Sequence, residues 1–212
     1  MSNCILDTMG PKCQCVCMIS TEQKTTHILD AALPVFVRFG FRKATMADIA
    51  RAAGISRASL YLSFNSKEDL FRAGSARAHR QTMAEVEVAL KGQGSVFDRI
   101  EATIATFQRG LIAPFGGSAD ARELFEVNMA LAADITLETR ERLLDLLSLA
   151  LREAADKGEI DLGAVEAQPA GLAGIILAAM SGIKEMQGEE PGLGDDTRLF
   201  MRLLRAAVTP PG

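Results

Sequence analysis

The sequence has no tryptophan and one tyrosine, and its four cysteines, Cys4, Cys13, Cys15 and Cys17, all fall within the first 17 residues. No cysteine pair can therefore staple the body of the fold, and its core must hold by packing alone. No apolar run approaches the ~20 residues needed to cross a bilayer, and the N-terminus lacks the charged-then-apolar order of a signal peptide. These features predict a cytoplasmic protein with no membrane partner. The only histidines, His27 and His79, sit on predicted helices without a paired nucleophile, and no glycine loop of the phosphate-cradling type occurs. The expectation is a protein that is not an enzyme, with no catalytic residues, no metal site and no cofactor.

Alternating Val/Ile/Thr runs are also scarce, whereas Ala, Leu, Arg and Glu are abundant, which predicts an all-α fold. At 212 residues and 48% hydrophobic, the chain can bury a sizeable core. Its net charge of −4 is unevenly spread. Residues 1–80 hold eleven Lys/Arg against six Asp/Glu, leaving twelve basic and twenty-one acidic residues beyond them. Only the N-terminal part can attract phosphate.

Helical periodicity and capping signals divide the chain into about nine helices. Residues 1–20 form a polar, Cys-rich arm expected to be disordered. A first helix over about 23–39 should kink near Pro34 and stop at Gly40. Thr45 to Asp48 has capping-box character and opens a second helix ending at Gly54, Ser56 caps a third, and Ser66 caps a long fourth reaching about Leu90. Five more are predicted near 95–112, 119–133, 136–157, 169–186 and 195–207. The domains are then the arm at 1–20, a helix-turn-helix domain at 21–66, and a larger helical domain at 67–212.

In the stretch from Met46 to Phe64, Ala50 and Ala53 permit close helix approach, Gly54 permits a tight turn, and Ile55, Leu60 and Phe64 can share a core. Arg57, Ala58, Ser59 and Tyr61 are left on the free side of the third helix, where they can enter a major groove. Residues 35–80 around them contain nine basic and three acidic residues. Taken alone, the motif reads equally well as an ordinary helical hairpin with a solvated basic face.

From Thr26 to Phe71 the chain resembles the tetracycline-repressor (TetR) family of regulators, through Ile28-Leu29-Asp30-Ala31-Ala32, Phe39-Gly40-Phe41, Thr45, Ile49-Ala50, Ala53-Gly54-Ile55-Ser56, Leu60-Tyr61, Phe64 and Ser66-Lys67-Glu68-Asp69-Leu70-Phe71. The resemblance implies a repressor whose third helix reads DNA, whose fourth links two domains and whose last two long helices dimerise. It also implies that Thr45, Tyr61 and Lys67 contact phosphate and that Arg57, Ala58 and Ser59 read the groove, with Arg42 and Lys43 placed for further phosphate contacts. One departure is the arm, where only Lys12 and Lys24 supply positive charge.

Dimerisation is expected through Leu172, Ile175, Ile176, Ala179 and Ile183 of the helix after Pro169 and through Leu199, Phe200, Leu203 and Leu204 of the last helix. Burial within one subunit is the competing reading of the same residues. A small-molecule inducer is expected among the fifth to eighth helices, lined by Met83, Phe107, Leu111, Phe125, Met129 and Met180 with Phe115 nearby. Polar candidates there are His79, Thr103, Gln108, Arg109 and Asn128, with Glu126 able to meet a cation, and the inducer's charge stays open. The implied partners are a palindromic double-stranded DNA operator, a second copy of the chain, and the inducer. Two alternatives remain: a thiol- or metal-responsive regulator using the N-terminal cysteines, and a helical ligand-binding or scaffold protein without DNA function.

Overall fold

The computed structural model describes residues 21–111, 113, 119–187 and 195–210. The four cysteines, Phe115 and the side chain of Ile183 lie outside the described residues. Among those residues the chain forms nine α-helices, one 3-10 turn at Gly163–Val165 and no strand. The helices are α1 (Thr21–Lys43), α2 (Met46–Ala52), α3 (Arg57–Tyr61), α4 (Lys67–Leu90), α5 (Val96–Leu111), α6 (Ala119–Leu131), α7 (Ala133–Asp156), α8 (Pro169–Gln187) and α9 (Asp195–Val208).

The expected kink at Pro34 is not what bends α1. Its dihedrals stay helical through Pro34, which lies on the exposed side, where water can reach the Asp30 carbonyl that loses its donor. The break falls at Gly40, whose φ of 73° and ψ of 159° are open to essentially no other residue. Thr45 then caps α2 in a full capping box, its hydroxyl accepting from the Asp48 amide while Asp48 accepts from the Thr45 amide. Ser56 and Ser66 accept from the amides of Ser59 and Asp69, each at 3.0 Å. Each such cap is worth about 1 kcal/mol.

Packing divides into two apolar cores. The first gathers Ile28, Phe36, Ile49, Leu60, Leu70 and Phe71, and the rings of Phe36, Phe41 and Phe71 meet with centroids 5.3 to 5.6 Å apart. It draws in Leu124 of α6, which is fully buried there. The second core centres on Val86, Phe97, Ile100, Leu147, Leu151, Ile176 and Met201. Helix α4 enters both, with Leu70 and Phe71 in the first and Met83, Val86 and Leu90 in the second.

Helices α4 and α5 approach closely at Gly110, where an added Cβ would stand 2.2 Å from Thr82 Oγ1 and 3.0 Å from its Cβ. At the far end of the second core, Arg205 of α9 reaches Asp98 of α5 at 2.6 Å. Asp98 also accepts from the Ser95 hydroxyl at 2.6 Å and the Ser95 amide at 2.9 Å. The Ser95 hydroxyl, and after it Arg205, hold this carboxyl down at about 2 from an ordinary 3.8. Arg72 of α4 does the same for Asp134 of α7, also to about 2.

Two outcomes are expected. Gly110→Ala should lower stability by about 1–3 kcal/mol, because Thr82 is itself buried and backbone must move to admit the methyl group; a urea midpoint equal to wild type would contradict the close crossing. Asp98 and Asp134 have folded values below their unfolded ones, so their contribution is fully present above about pH 4 and is lost as pH falls towards about 2. A urea-midpoint series should therefore decline more shallowly over that window in Asp98→Asn, and an unchanged slope would refute the role of the Ser95 and Arg205 contacts.

Candidate nucleic-acid interface

The turn between α2 and α3 is built as its residue types require. Gly54 takes φ of 63°, and the Ile55 amide returns to the Ala50 carbonyl at 3.0 Å, closing α2 against the start of α3. Leu60, fully buried, fixes the rotation of α3. Arg57, Ala58 and Tyr61 then face outward, with Tyr61 45% exposed, while Ser59 is half-buried. Helix α1 holds this arrangement from behind: His27 Nε2 lies 2.9 Å from the Ala53 carbonyl, and Lys24 Nζ donates to the Ser59 carbonyl at 3.2 Å.

Five of the eight residues expected at DNA converge on one shallow concavity of about 460 Å³: Arg42, Thr45, Arg57, Tyr61 and Lys67 line it together with Met46, Asn65 and Ser66. Lys43, Ala58 and Ser59 lie outside its lining. The wall between α1 and α2 is held by Lys67, whose ammonium donates to the carbonyls of Phe41 (2.7 Å), Ala44 (3.0 Å) and Arg42 (3.3 Å). It also stands 4.4 Å from the centre of the Phe41 ring. An ammonium has three donors, so all of those on Lys67 are engaged internally. The phosphate hydrogen bond expected of Lys67 would therefore have to displace one of these internal contacts. In the same segment, the Arg42 amide donates to Glu123 of α6 at 2.8 Å.

The sequence does not single out Leu62 or Glu123, and it marks Lys24 only as a positive charge of the arm, not as the partner of Ser59. Leu62 is an apolar side chain 86% exposed at the end of α3, immediately after Tyr61. Nothing in the sequence links Glu123 to Arg42 across 81 positions.

The residues expected to line a ligand cavity are spread more widely. Met83, Phe107 and Met180 belong to the second core. Leu111 is half-buried, whereas Phe125 is 62% exposed and Met129 is exposed as well. His79 is buried with Nδ1 2.8 Å from the Ser75 carbonyl. Asn128 bridges three helices, its Oδ1 accepting from Ser75 of α4 and its Nδ2 donating to Thr136 of α7. Thr103 Oγ1 and Gln108 Oε1 are buried without a partner among the described residues. The two concavities described both lie on the N-terminal helices.

The expected dimer face divides in two. Leu172 and Ile176 are buried in the protomer's own core, so they are not available to a partner, and Ala179, Phe200 and Leu204 pack partly against that core. Ile175, Leu199 and Leu203 remain outward at 57, 47 and 61% exposure. Beside Ile175, open space surrounds Gly171, Gly174 and Gly182. The reason is that α8 is apolar on two sides: 172, 173, 176 and 180 turn inward while 171, 175, 178 and 182 turn outward.

Residues 28–73, which form this interface, match the family described as bacterial regulatory proteins, tetR family. The HTH-type transcriptional regulator SrpR of Pseudomonas putida is 41% identical over 66 residues, 31% of this chain and 30% of its own length. The chain thus spans under a third of that relative. SmeT, the repressor of the Stenotrophomonas maltophilia multidrug efflux pump SmeDEF, aligns in structure over 91% of this chain and 93% of its own with TM-score 0.63 and 24% identity. FadR of Bacillus subtilis, solved in complex with stearoyl-CoA, aligns over 86% and 98% with TM-score 0.60 and 18% identity. Helix-turn-helix geometry and family match agree over residues 28–73, which are similar to the tetR family of bacterial regulatory proteins, and the described residues as a whole share the fold of these solved structures.

Proposed function

We propose that the protein is a ligand-responsive transcriptional repressor that binds double-stranded operator DNA as a homodimer in the cytoplasm and releases it when a small molecule occupies its C-terminal domain. The observation that carries the DNA reading is the convergence of Arg42, Thr45, Arg57, Tyr61 and Lys67 on one concavity at the helix-turn-helix. Arg57, Ala58 and Leu62 enter the major groove with Ser59 beside them, and Arg42, Lys43, Thr45 and Tyr61 meet phosphates. Lys67 shapes the loop that presents the first three of those phosphate contacts.

A second copy docks on Ile175, Leu199 and Leu203, the outward apolar residues of α8 and α9, with the bare glycine face of α8 allowing close approach. A two-fold arrangement places the recognition helices about 34–36 Å apart for successive major grooves. The ligand reading is supported by Thr103 and Gln108, whose buried, unpartnered oxygens in α5 await hydrogen-bonding groups. FadR, bound to stearoyl-CoA in its own structure, supports ligand control in this fold. An inducer that favours a DNA-incompetent setting of α4 lowers operator affinity by its differential affinity for the two settings.

The DNA reading is tested by selecting duplexes from a random-sequence pool with the full chain and measuring affinity against salt. Wild type should select a palindromic site. Arg57→Ala and Lys43→Ala should each bind more weakly, with the salt slope reduced by about 0.9 where one phosphate contact is lost. Failure to enrich any duplex, or slopes unaffected by both substitutions, would refute the proposal. In sedimentation at micromolar concentration wild type should run as a dimer and Leu203→Asp as a monomer with at least tenfold weaker DNA binding; a monomeric wild type would remove the two-fold model.

A further inference from the structure

We infer that Glu123 of α6 is a positioning residue for the DNA-facing loop, so that the DNA-binding unit includes a helix from the other domain. The inference rests on the DNA reading above and starts from Gly40. The break there interrupts the hydrogen-bond ladder of α1, so that the amides of the short helical turn that follows, Phe41 to Lys43, start without the acceptors of a continuous helix. The Arg42 amide finds its acceptor in Glu123 Oε1 at 2.8 Å. The second oxygen, Oε2, lies 2.8 Å from where a Cβ on Gly40 would stand. Glycine at position 40 therefore serves two ends: it permits the positive φ and leaves room for the carboxylate.

The same segment, residues 41–44, is also held by Lys67, which donates to the carbonyls of Phe41, Arg42 and Ala44. An anion from α6 thus holds a loop N–H, and a cation from α4 holds three loop carbonyls. Neither belongs to α1, α2 or α3. Between them the loop sets where Arg42 and Thr45 stand on the concavity wall. Helix α6 is itself seated by Leu124, fully buried in the first core, with Val127 and Leu131 packed beside it. Arg72 fastens its far end by donating to the Leu131 carbonyl at 2.8 Å. The loop keeps its DNA-competent shape only while α6 stays in this seat.

The test compares full-length wild type, Glu123→Ala and Glu123→Gln in two measurements. The first, free of DNA, is amide hydrogen exchange over residues 40–45. Glu123→Ala should raise exchange at the Arg42 amide about tenfold, and Glu123→Gln, whose Oε1 accepts the same hydrogen bond, should stay near wild type. The second is affinity for the duplex that wild type selects from a random pool. Glu123→Ala should bind about tenfold more weakly and Glu123→Gln should recover most of that loss. Wild-type exchange in Glu123→Ala would overturn the inference, as would Glu123→Gln matching Ala in both measurements. Tighter binding by Glu123→Gln than by wild type would also overturn it, because the carboxylate would then act by repelling phosphate. If wild type selects no duplex, the DNA reading fails by itself while the exchange measurement still decides whether Glu123 positions the loop.

Discussion

The junction of Phe36, Phe41 and Phe71 is the contact on which the rest of the N-terminal architecture depends. Their rings join α1 on both sides of Gly40 to the start of α4: Phe71 meets Phe36 and Phe41 edge-on, and Phe36 and Phe41 meet at a tilt, contacts worth about 0.5–1.5 kcal/mol each beyond the area they bury. Because Phe71 sits on α4, the helix-turn-helix is not a bead on a flexible tether. It is packed onto the first turns of a 24-residue helix, about 36 Å long, whose last turns lie in the second core. The Lys67 ammonium over the Phe41 ring adds a cation–π contact at the same junction.

The two ends of this rod have different characters. Around the helix-turn-helix nearly every structural polar group is matched: Thr45 with Asp48, Ser56 with Ser59, Ser66 with Asp69, His27 with Ala53 and Lys67 with three carbonyls. That matching leaves Arg57 and Tyr61 outward on a surface of fixed shape. In the larger domain, Thr103 and Gln108 keep buried oxygens without partners among the described residues. A rigid polar scaffold suits the DNA-reading surface proposed above, and unmatched buried groups suit the proposed ligand-binding role of the larger domain.

Much of the fold was legible because its local signals are strong. Thr45, Ser56, Ser66 and Ser95 marked helix starts through caps that the structure contains, and Gly40 and Gly54 marked turns through positive φ. The start of α7 was read three residues late because Ala132, at φ −144° and ψ 28°, interrupts the helix without a capping side chain. The dimer face was read too broadly because α8 is apolar all round, so periodicity could not separate Leu172 and Ile176, facing inward, from Ile175, facing outward. The engagement of Lys67 and the reach of Glu123 to Arg42 are products of tertiary packing between residues 23 to 81 positions apart, which no local pattern encodes.

In the proposed dimer, two such rods present two recognition helices to one face of a duplex. Hydroxyl-radical footprinting of the duplex selected by wild type decides whether they do. Two protected patches are expected on the same face, with centres about 34–36 Å apart, one helical turn. A single patch, or protection running evenly around the duplex, would contradict it.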